Sequence, residues 1–165
     1  MRTAGLKKLL CTAFLSLPLS LFAEDPFWEV VRKVPLEFAF VVQDGPRQVT
    51  GVCLVDWPAF KLVCDDTVMM YDGKSAATID TRNKEITLET EPVEIPVGSI
   101  SFSYDLDAAA KGELVPVSAP YADADGRSTE ILFPSFRFHE SLPQEIFTPD
   151  MEQYPSSQWG VTDLR

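Results

Sequence analysis

The only histidine of the chain, His139, lies beside Glu140 at the end of an alternating stretch. An imidazole next to a carboxylate can serve as a general base in catalysis. That chemistry also needs a nucleophile or a metal, and the sequence has neither a serine or cysteine motif of that kind nor the His-Glu-x-x-His pattern of zinc enzymes. We therefore interpret His139 as a surface or interface residue and predict that the protein is not an enzyme.

A short acidic run, Asp123-Ala124-Asp125-Gly126, is the second segment whose residue types suggest chemistry, because calcium prefers oxygen ligands. Setting Gly126 at the sixth position of an EF-hand loop puts Tyr121 first and Leu132 twelfth, where oxygen ligands are required. That pattern fails, and Asp125-Gly126 is better explained as a turn. The chain also has no Cys/His metal spacing and no glycine-rich phosphate loop, so we predict no metal site and no cofactor.

Two cysteines, Cys53 and Cys64, remain after the leader described below. In an exported protein such a pair favours a disulfide. A hairpin that turns at Pro58-Ala59 would place Cys53 opposite Cys64 on one side of a sheet. The alternative is two buried thiols that behave as small apolar residues. The sequence leaves both interpretations open.

Residues 1–23 have the composition of an export signal: a basic start, an apolar run and a small residue, Ala23, before the predicted cleavage site. Cys11 allows a second interpretation, lipidation, but it follows two leucines rather than a small residue. We predict a signal peptide at 1–23, a single domain at 24–165 and a periplasmic location. The net charge of −11 argues against nucleic acid and anionic lipid headgroups as partners. Apart from the leader no apolar run is long enough for stable membrane insertion.

The elements that must position these side chains are mostly strands. Asp25 and Pro26 are typical of a helix start, and the apolar spacing from Phe27 to Val34 predicts a short helix that Pro35 ends. Alternating stretches then follow one another with short turns, and Asp72-Gly73 predicts a two-residue type I′ hairpin. The predicted strands lie at 36–43, 47–55 and 60–64, in the meander of 66–89, and at 100–104 and 128–138. The predicted fold is mainly β: a curved antiparallel sheet, or incomplete up-and-down β-barrel, with a short N-terminal helix as lid.

The chain holds 11 phenylalanines. It therefore has more bulky apolar side chains than a thin sheet needs to form its own core. Two interpretations stay open. The apolar faces can form an ordinary packed core. Alternatively, a curved sheet closed by the helix can enclose a cavity for an apolar ligand.

Several short motifs in order resemble the core of the LolA family of periplasmic lipoprotein carriers. They are Gly51-Val-Cys-Leu-Val, Trp57-Pro-Ala-Phe60-Lys-Leu, Tyr71-Asp-Gly-Lys74-Ser and Asn83-Lys-Glu85-Ile. The C-terminal segments Ile146-Phe147-Thr and Tyr154-Pro155 to Asp163-Leu164-Arg165 are similar to the ends of the versions in the Bacteroides-like branch.

This resemblance implies an incomplete antiparallel barrel whose short helices cover a hydrophobic concavity. The concavity would shield the acyl chains of lipoproteins during their transfer to the outer membrane. The implied partners are acylated outer-membrane lipoproteins and an inner-membrane release complex. The chain departs from the family in a short middle segment, 90–98, and in Trp57, which stands where the carriers often have a basic residue that holds the lid.

The acyl site that follows from this combination is a group of apolar side chains on the helix and the sheet. Its members are Phe27, Trp28, Phe38, Phe40, Leu62 and Met70. The alternative function is a non-enzymatic periplasmic β-domain that mediates protein–protein interaction.

Overall fold

The structure, a computed structural model, describes residues 25–44, 46–90, 101–122 and 126–165. The predicted signal peptide at 1–23 lies outside these residues, as do most of the segment 90–98 and the predicted turn residue Asp125. What is described belongs to the predicted domain at 24–165. In this part of the chain no helix is both long enough and apolar enough to cross a bilayer.

The described residues form ten strands and two short α-helices. The strands are β1 (Leu36–Asp44), β2 (Arg47–Asp56), β3 (Ala59–Cys64), β4 (Thr67–Tyr71), β5 (Ala76–Asp80), β6 (Glu85–Glu89), β7 (Ser103–Tyr104), β8 (Pro116–Ala122), β9 (Ser128–Phe138) and β10 (Gly160–Asp163). The helices are α1 (Phe27–Val31) and α2 (Leu106–Ala109).

All ten strands belong to one sheet in the order β10-β6-β5-β4-β3-β2-β1-β9-β8-β7. β1 to β6 form an up-and-down antiparallel meander, as the alternating pattern predicts. β9 then pairs with the free side of β1, also antiparallel. The predicted fold class is confirmed: the fold is mainly β, with an open sheet that is antiparallel except for its C-terminal strand, and a short N-terminal helix. The C-terminal strand β10 is an addition that the pattern did not indicate, because it runs parallel to β6.

The hairpin between β2 and β3 turns at Trp57-Pro58, since Asp56 pairs with Ala59. The turn at Pro58-Ala59 is therefore wrong, and so is the register that depended on it. Cys53 lies opposite Leu62, and Gly51 lies opposite Cys64. The two cysteines share a face but are diagonal neighbours, about 7–8 Å apart between Cα atoms, which is longer than most disulfides span. No disulfide joins them in the structure.

The hairpin between β4 and β5 also differs from its prediction. Tyr71 pairs with Ala76, so the loop has four residues rather than two. Asp72 organises it: its Oδ1 accepts hydrogen bonds from the backbone N–H groups of Lys74, at 2.8 Å, and Ser75, at 2.7 Å. Gly73 takes a φ of +93°, a conformation that costs glycine little. The aspartate thus builds a wider turn than the Asp-Gly pair alone predicts.

The two faces of the sheet are covered by different parts of the chain. We call the side that carries Leu36, Phe38, Phe40 and Val42 the aromatic face. α1 lies on this face, where Phe27, Trp28 and Val31 join its hydrophobic cluster. Since a helix of five residues is not stable alone in water, this contact is what maintains it.

We call the other side of the sheet the opposite face. The C-terminal segment covers it. Phe147 and Leu142 pack on Ala59. Further along, Tyr154 and Trp159 pack on Ile79 and its neighbours in β4 to β6. The N-terminal helix therefore covers part of the aromatic face, and the C-terminal segment covers the opposite face along β3 to β6.

Candidate functional site

The predicted apolar residues meet at the contact between α1 and the aromatic face. Phe27, Trp28 and Phe40 are 2%, 6% and 1% exposed. Phe38 and Leu62 are half-buried and pack against the same cluster. Five of the six predicted site residues thus belong to one group.

Met70 is the exception, and its assignment to this group is wrong. The two-residue turn at Asp65-Asp66 pairs Leu62 with Met69. Neighbouring residues of a strand point to opposite faces, so Met70 belongs to the opposite face. There it packs with Ile79, Ile86 and other residues of β5 and β6.

Three phenylalanines that the sequence did not assign to the site complete the cluster. Phe102 lies 5.2 Å from Phe27 and 5.7 Å from Trp28 between ring centroids. Phe133 and Phe136 contact Phe38, at 5.6 Å and 5.3 Å. Aromatic pairs at this spacing are favourable beyond the area that they bury.

A β-bulge in β9 brings Phe133 into the cluster. Ala39 pairs with Ser135 and Val41 with Leu132, so two residues, Phe133 and Pro134, stand opposite Phe40. A proline is tolerated at a bulge because the ladder hydrogen bond is already interrupted there. The run Phe133-Pro134 within an alternating stretch was the one available signal, but it does not say which strand lies opposite.

Asp25 fixes the start of α1 to the sheet. Its carboxylate accepts hydrogen bonds from the backbone N–H of Phe27, at 3.0 Å, and from that of Phe102, at 3.0 Å. It also accepts one from the hydroxyl of Tyr104. Burial, the hydrogen bond to Asp25 and the charge of that carboxylate raise the pKa of Tyr104 above its usual range. Asp25 was predicted only to cap the helix, and its bonds to Phe102 and Tyr104 are new.

The aromatic face continues beyond α1 onto β3 and β4. Phe60, Leu62 and Cys64 of β3 are half-buried on this side, and Met69 of β4 is half-buried beside them. Apolar side chains therefore extend across neighbouring strands from the helix contact, with part of their surface accessible.

Of the titratable candidates, His139 contacts a carboxylate and Cys53 is buried. His139 Nε2 lies 3.3 Å from Glu37 Oε2, and its backbone N–H donates to Pro35 at 2.8 Å, so it connects the end of β9 to the start of β1. Burial raises the pKa of the Cys53 thiol to about 12, which keeps it protonated and unreactive at neutral pH. In the described segments no group of three or more His, Cys, Asp or Glu side chains is placed to hold a metal ion.

Among the described residues, two buried polar side chains on the aromatic face make no hydrogen bond. They are Trp28, through Nε1, and Thr67, through Oγ1. Trp28 is on α1. Thr67 pairs with Cys64, which pairs with Gly51, and that row faces the same side as Phe40. Most buried polar groups in proteins have a partner, so these two atoms are exceptional.

Comparison of the chain with protein-family models gives no match. No curated protein matches it either. Among solved structures, one that is similar in fold is an uncharacterized conserved protein from Thermus thermophilus. The two chains are 11% identical, and the match has a TM-score of 0.54 and covers 82% of this chain and 93% of the other. This likeness concerns the fold alone.

Proposed function

We propose that this protein is a periplasmic carrier that shields acyl chains of lipoproteins on the aromatic face during their transfer to the outer membrane. α1 acts as the lid. Acylated outer-membrane lipoproteins are its cargo, and an inner-membrane complex supplies them. The sequence motifs that resemble the LolA family support this proposal, and so does the open antiparallel sheet with a helix on one face.

One observation carries the proposal: the apolar surface under and beside α1 is continuous. The helix covers the part over β1 and β9, where Phe40 is 1% exposed. Half-buried apolar residues extend the same surface to Leu62 and Met69. Displacement of a five-residue helix would join both parts into a single apolar surface.

The driving force would be burial of hydrocarbon. Each methylene that moves from water into apolar surroundings contributes about 0.8 kcal/mol. α1 offsets part of this gain, because its own apolar side chains must leave the sheet as the acyl chain enters. Release then needs an acceptor that binds the lipoprotein more tightly than the aromatic face does.

A second candidate function is a non-enzymatic domain for protein–protein interaction. The observation that favours it is the close packing of α1, since Phe27 is 2% and Trp28 6% exposed. In that case the aromatic face and α1 form a fully packed core that takes up no ligand. The partner would then bind elsewhere, for instance at Leu132 of β9, which is 48% exposed and lies opposite Val41 on the other side of the sheet.

Acyl-probe binding separates the two functions. We expect the mature protein to take up a fluorescent fatty-acid probe, and lipid or lipoprotein to co-purify with it from the periplasm and be identified by mass spectrometry. Leu62→Gln should weaken probe binding. Val63→Gln is the matched control, because Val63 is also half-buried but points to the opposite face. If the wild-type protein takes up no probe and carries no lipid, the carrier function is wrong.

A further inference from the structure

The side chain of Trp28 carries a polar atom that the packing of α1 does not need. Its residue is 6% exposed, and its indole Nε1 is buried without a hydrogen bond. An indole N–H can only donate, and a buried one usually finds an acceptor. Leaving a buried donor without an acceptor destabilises a protein.

The neighbouring residue is an aromatic side chain that packs in the same cluster without a polar atom. Phe27 precedes Trp28 on α1 and is 2% exposed. It contacts Phe102 edge-on at 5.2 Å, and Phe136 at 5.6 Å, with no polar atom. Trp28 contacts the same Phe102 ring at 5.7 Å. A phenylalanine at position 28 would keep an aromatic ring in the cluster and remove the unpaired N–H.

The chemistry around the indole limits what its acceptor can be. The buried members of the cluster that surrounds it are all apolar. Burial of a free carboxylate costs far more free energy than burial of a neutral carbonyl, which is tolerated once it is hydrogen-bonded. The acceptor must also be joined to something apolar enough to enter between α1 and the aromatic face.

We propose that Trp28 is the specificity-determining residue of the aromatic face and donates its indole N–H to the carbonyl of a fatty acyl ester or amide. This group joins an acyl chain to the rest of a lipid or an acylated protein. The inference rests on the proposed carrier function. It adds that the protein recognises the acyl linkage and does not bind hydrocarbon alone.

The test compares three pyrene-labelled probes of matched chain length: an acyl methyl ester, the corresponding N-methyl amide, and a hydrocarbon without the carbonyl. Each is titrated into the wild-type protein, Trp28→Phe and the control Trp159→Phe, whose residue packs on the opposite face. We expect Trp28→Phe to weaken binding of the ester, the amide or both about tenfold more than it weakens binding of the hydrocarbon. Loss for the ester alone identifies a lipid ester as the source of the carbonyl, and loss for the amide alone identifies an N-acyl group.

A second measurement does not depend on a variant. In the ¹⁵N-labelled wild-type protein, the indole N–H resonance of Trp28 should move downfield when the ester or amide is added and should not do so with the hydrocarbon. The inference is overturned if Trp28→Phe changes the binding of all three probes by the same factor or leaves it unchanged, or if this resonance responds equally to all three. In both cases the carrier function stands as long as the hydrocarbon binds. Failure of every probe to bind overturns the carrier function and the inference together.

Discussion

The ring of Phe40 lies over Gly51, its direct partner in the β1–β2 ladder. A Cβ atom at position 51 would stand 2.6 Å from Cε1 of that ring and 2.6 Å from the carbonyl oxygen of Val63. Real Cβ contacts are almost never so short. Glycine is therefore required here so that Phe40, at 1% exposure, can fill the space beside β2.

This pair gives the first prediction. Gly51→Ala forces a fully packed ring and a backbone carbonyl to move, and such overpacking costs typically 1–3 kcal/mol of unfolding free energy. Gly160→Ala is the control, because the nearest atom to its new Cβ would be Glu85 Cγ at 3.7 Å. We expect the control to change stability by less than about 0.5 kcal/mol. Urea unfolding of both variants measures the difference, and equal stabilities would contradict the packing described.

The second prediction concerns the attachment of α1 through Asp25 and Tyr104. Hydrogen bonds to a charged group contribute about 1.5–3 kcal/mol, so Tyr104→Phe should loosen the start of the helix while it preserves the ring. Hydrogen exchange of the amides in α1 should become faster. Tyr154→Phe, on the opposite face, should leave that exchange unchanged.

If α1 is the lid of a carrier, the same variant should also bind a fatty-acid probe faster than the wild type. Faster exchange without faster probe binding would mean that opening of the helix does not control access to the aromatic face. Unchanged exchange would mean that the hydroxyl of Tyr104 does not hold the helix.

Part of this arrangement could be predicted from the sequence, and the part that failed has a physical cause. The alternation in β1 places Phe38 and Phe40 on one face whatever the neighbouring strands do, because the side-chain period in a strand is two. The position of Met70 depends instead on the turn before it. Loss or gain of one residue in a turn moves every later side chain to the other face.

Pairings between distant segments were even harder to predict from the sequence. β9 pairs with β1 across 89 to 102 residues of sequence, and nothing in the run Ser128–Phe138 identifies its neighbour. Phe133 and Phe136 reach the cluster through that pairing, whereas Phe102 also depends on the pairings of β8 with β9 and of β7 with β8. A local pattern indicates which residues share a face, but not which strands are adjacent.

The third prediction is alkaline loss of stability through Cys53. Its thiol has an ordinary pKa of 9.0, and burial raises the pKa to about 12 in the folded protein. The unfolded chain therefore releases this proton first. The contribution of the neutral thiol is fully present below pH 9, and it is lost as the pH rises from about 9 towards 12.

Cys53→Val should make the dependence of stability on pH less steep above pH 9, since valine packs at this strand position without a proton to lose. Urea unfolding at pH 7 to 11 measures this dependence. Ionisation of Tyr104, whose pKa is also raised, should remain in the variant and leave a smaller slope at the upper end of the range. An unchanged slope throughout would mean that Cys53 is accessible to solvent when folded.

The fourth prediction tests whether the C-terminal segment is part of the core. Phe147 is 1% exposed and packs with Ala59 and Leu142 on the opposite face. Removing a buried phenylalanine side chain costs about 3–5 kcal/mol, because the transfer free energy is lost and a cavity remains. Phe147→Ala should therefore destabilise the protein strongly.

Phe138→Ala is the matched control, because Phe138 is 44% exposed. It should cost clearly less, since much of its ring is already in contact with water in the folded state. Both variants can be compared by urea unfolding. Equal losses would mean that the segment around Phe147 does not cover β3 in solution, and the opposite face would then be a second accessible apolar surface.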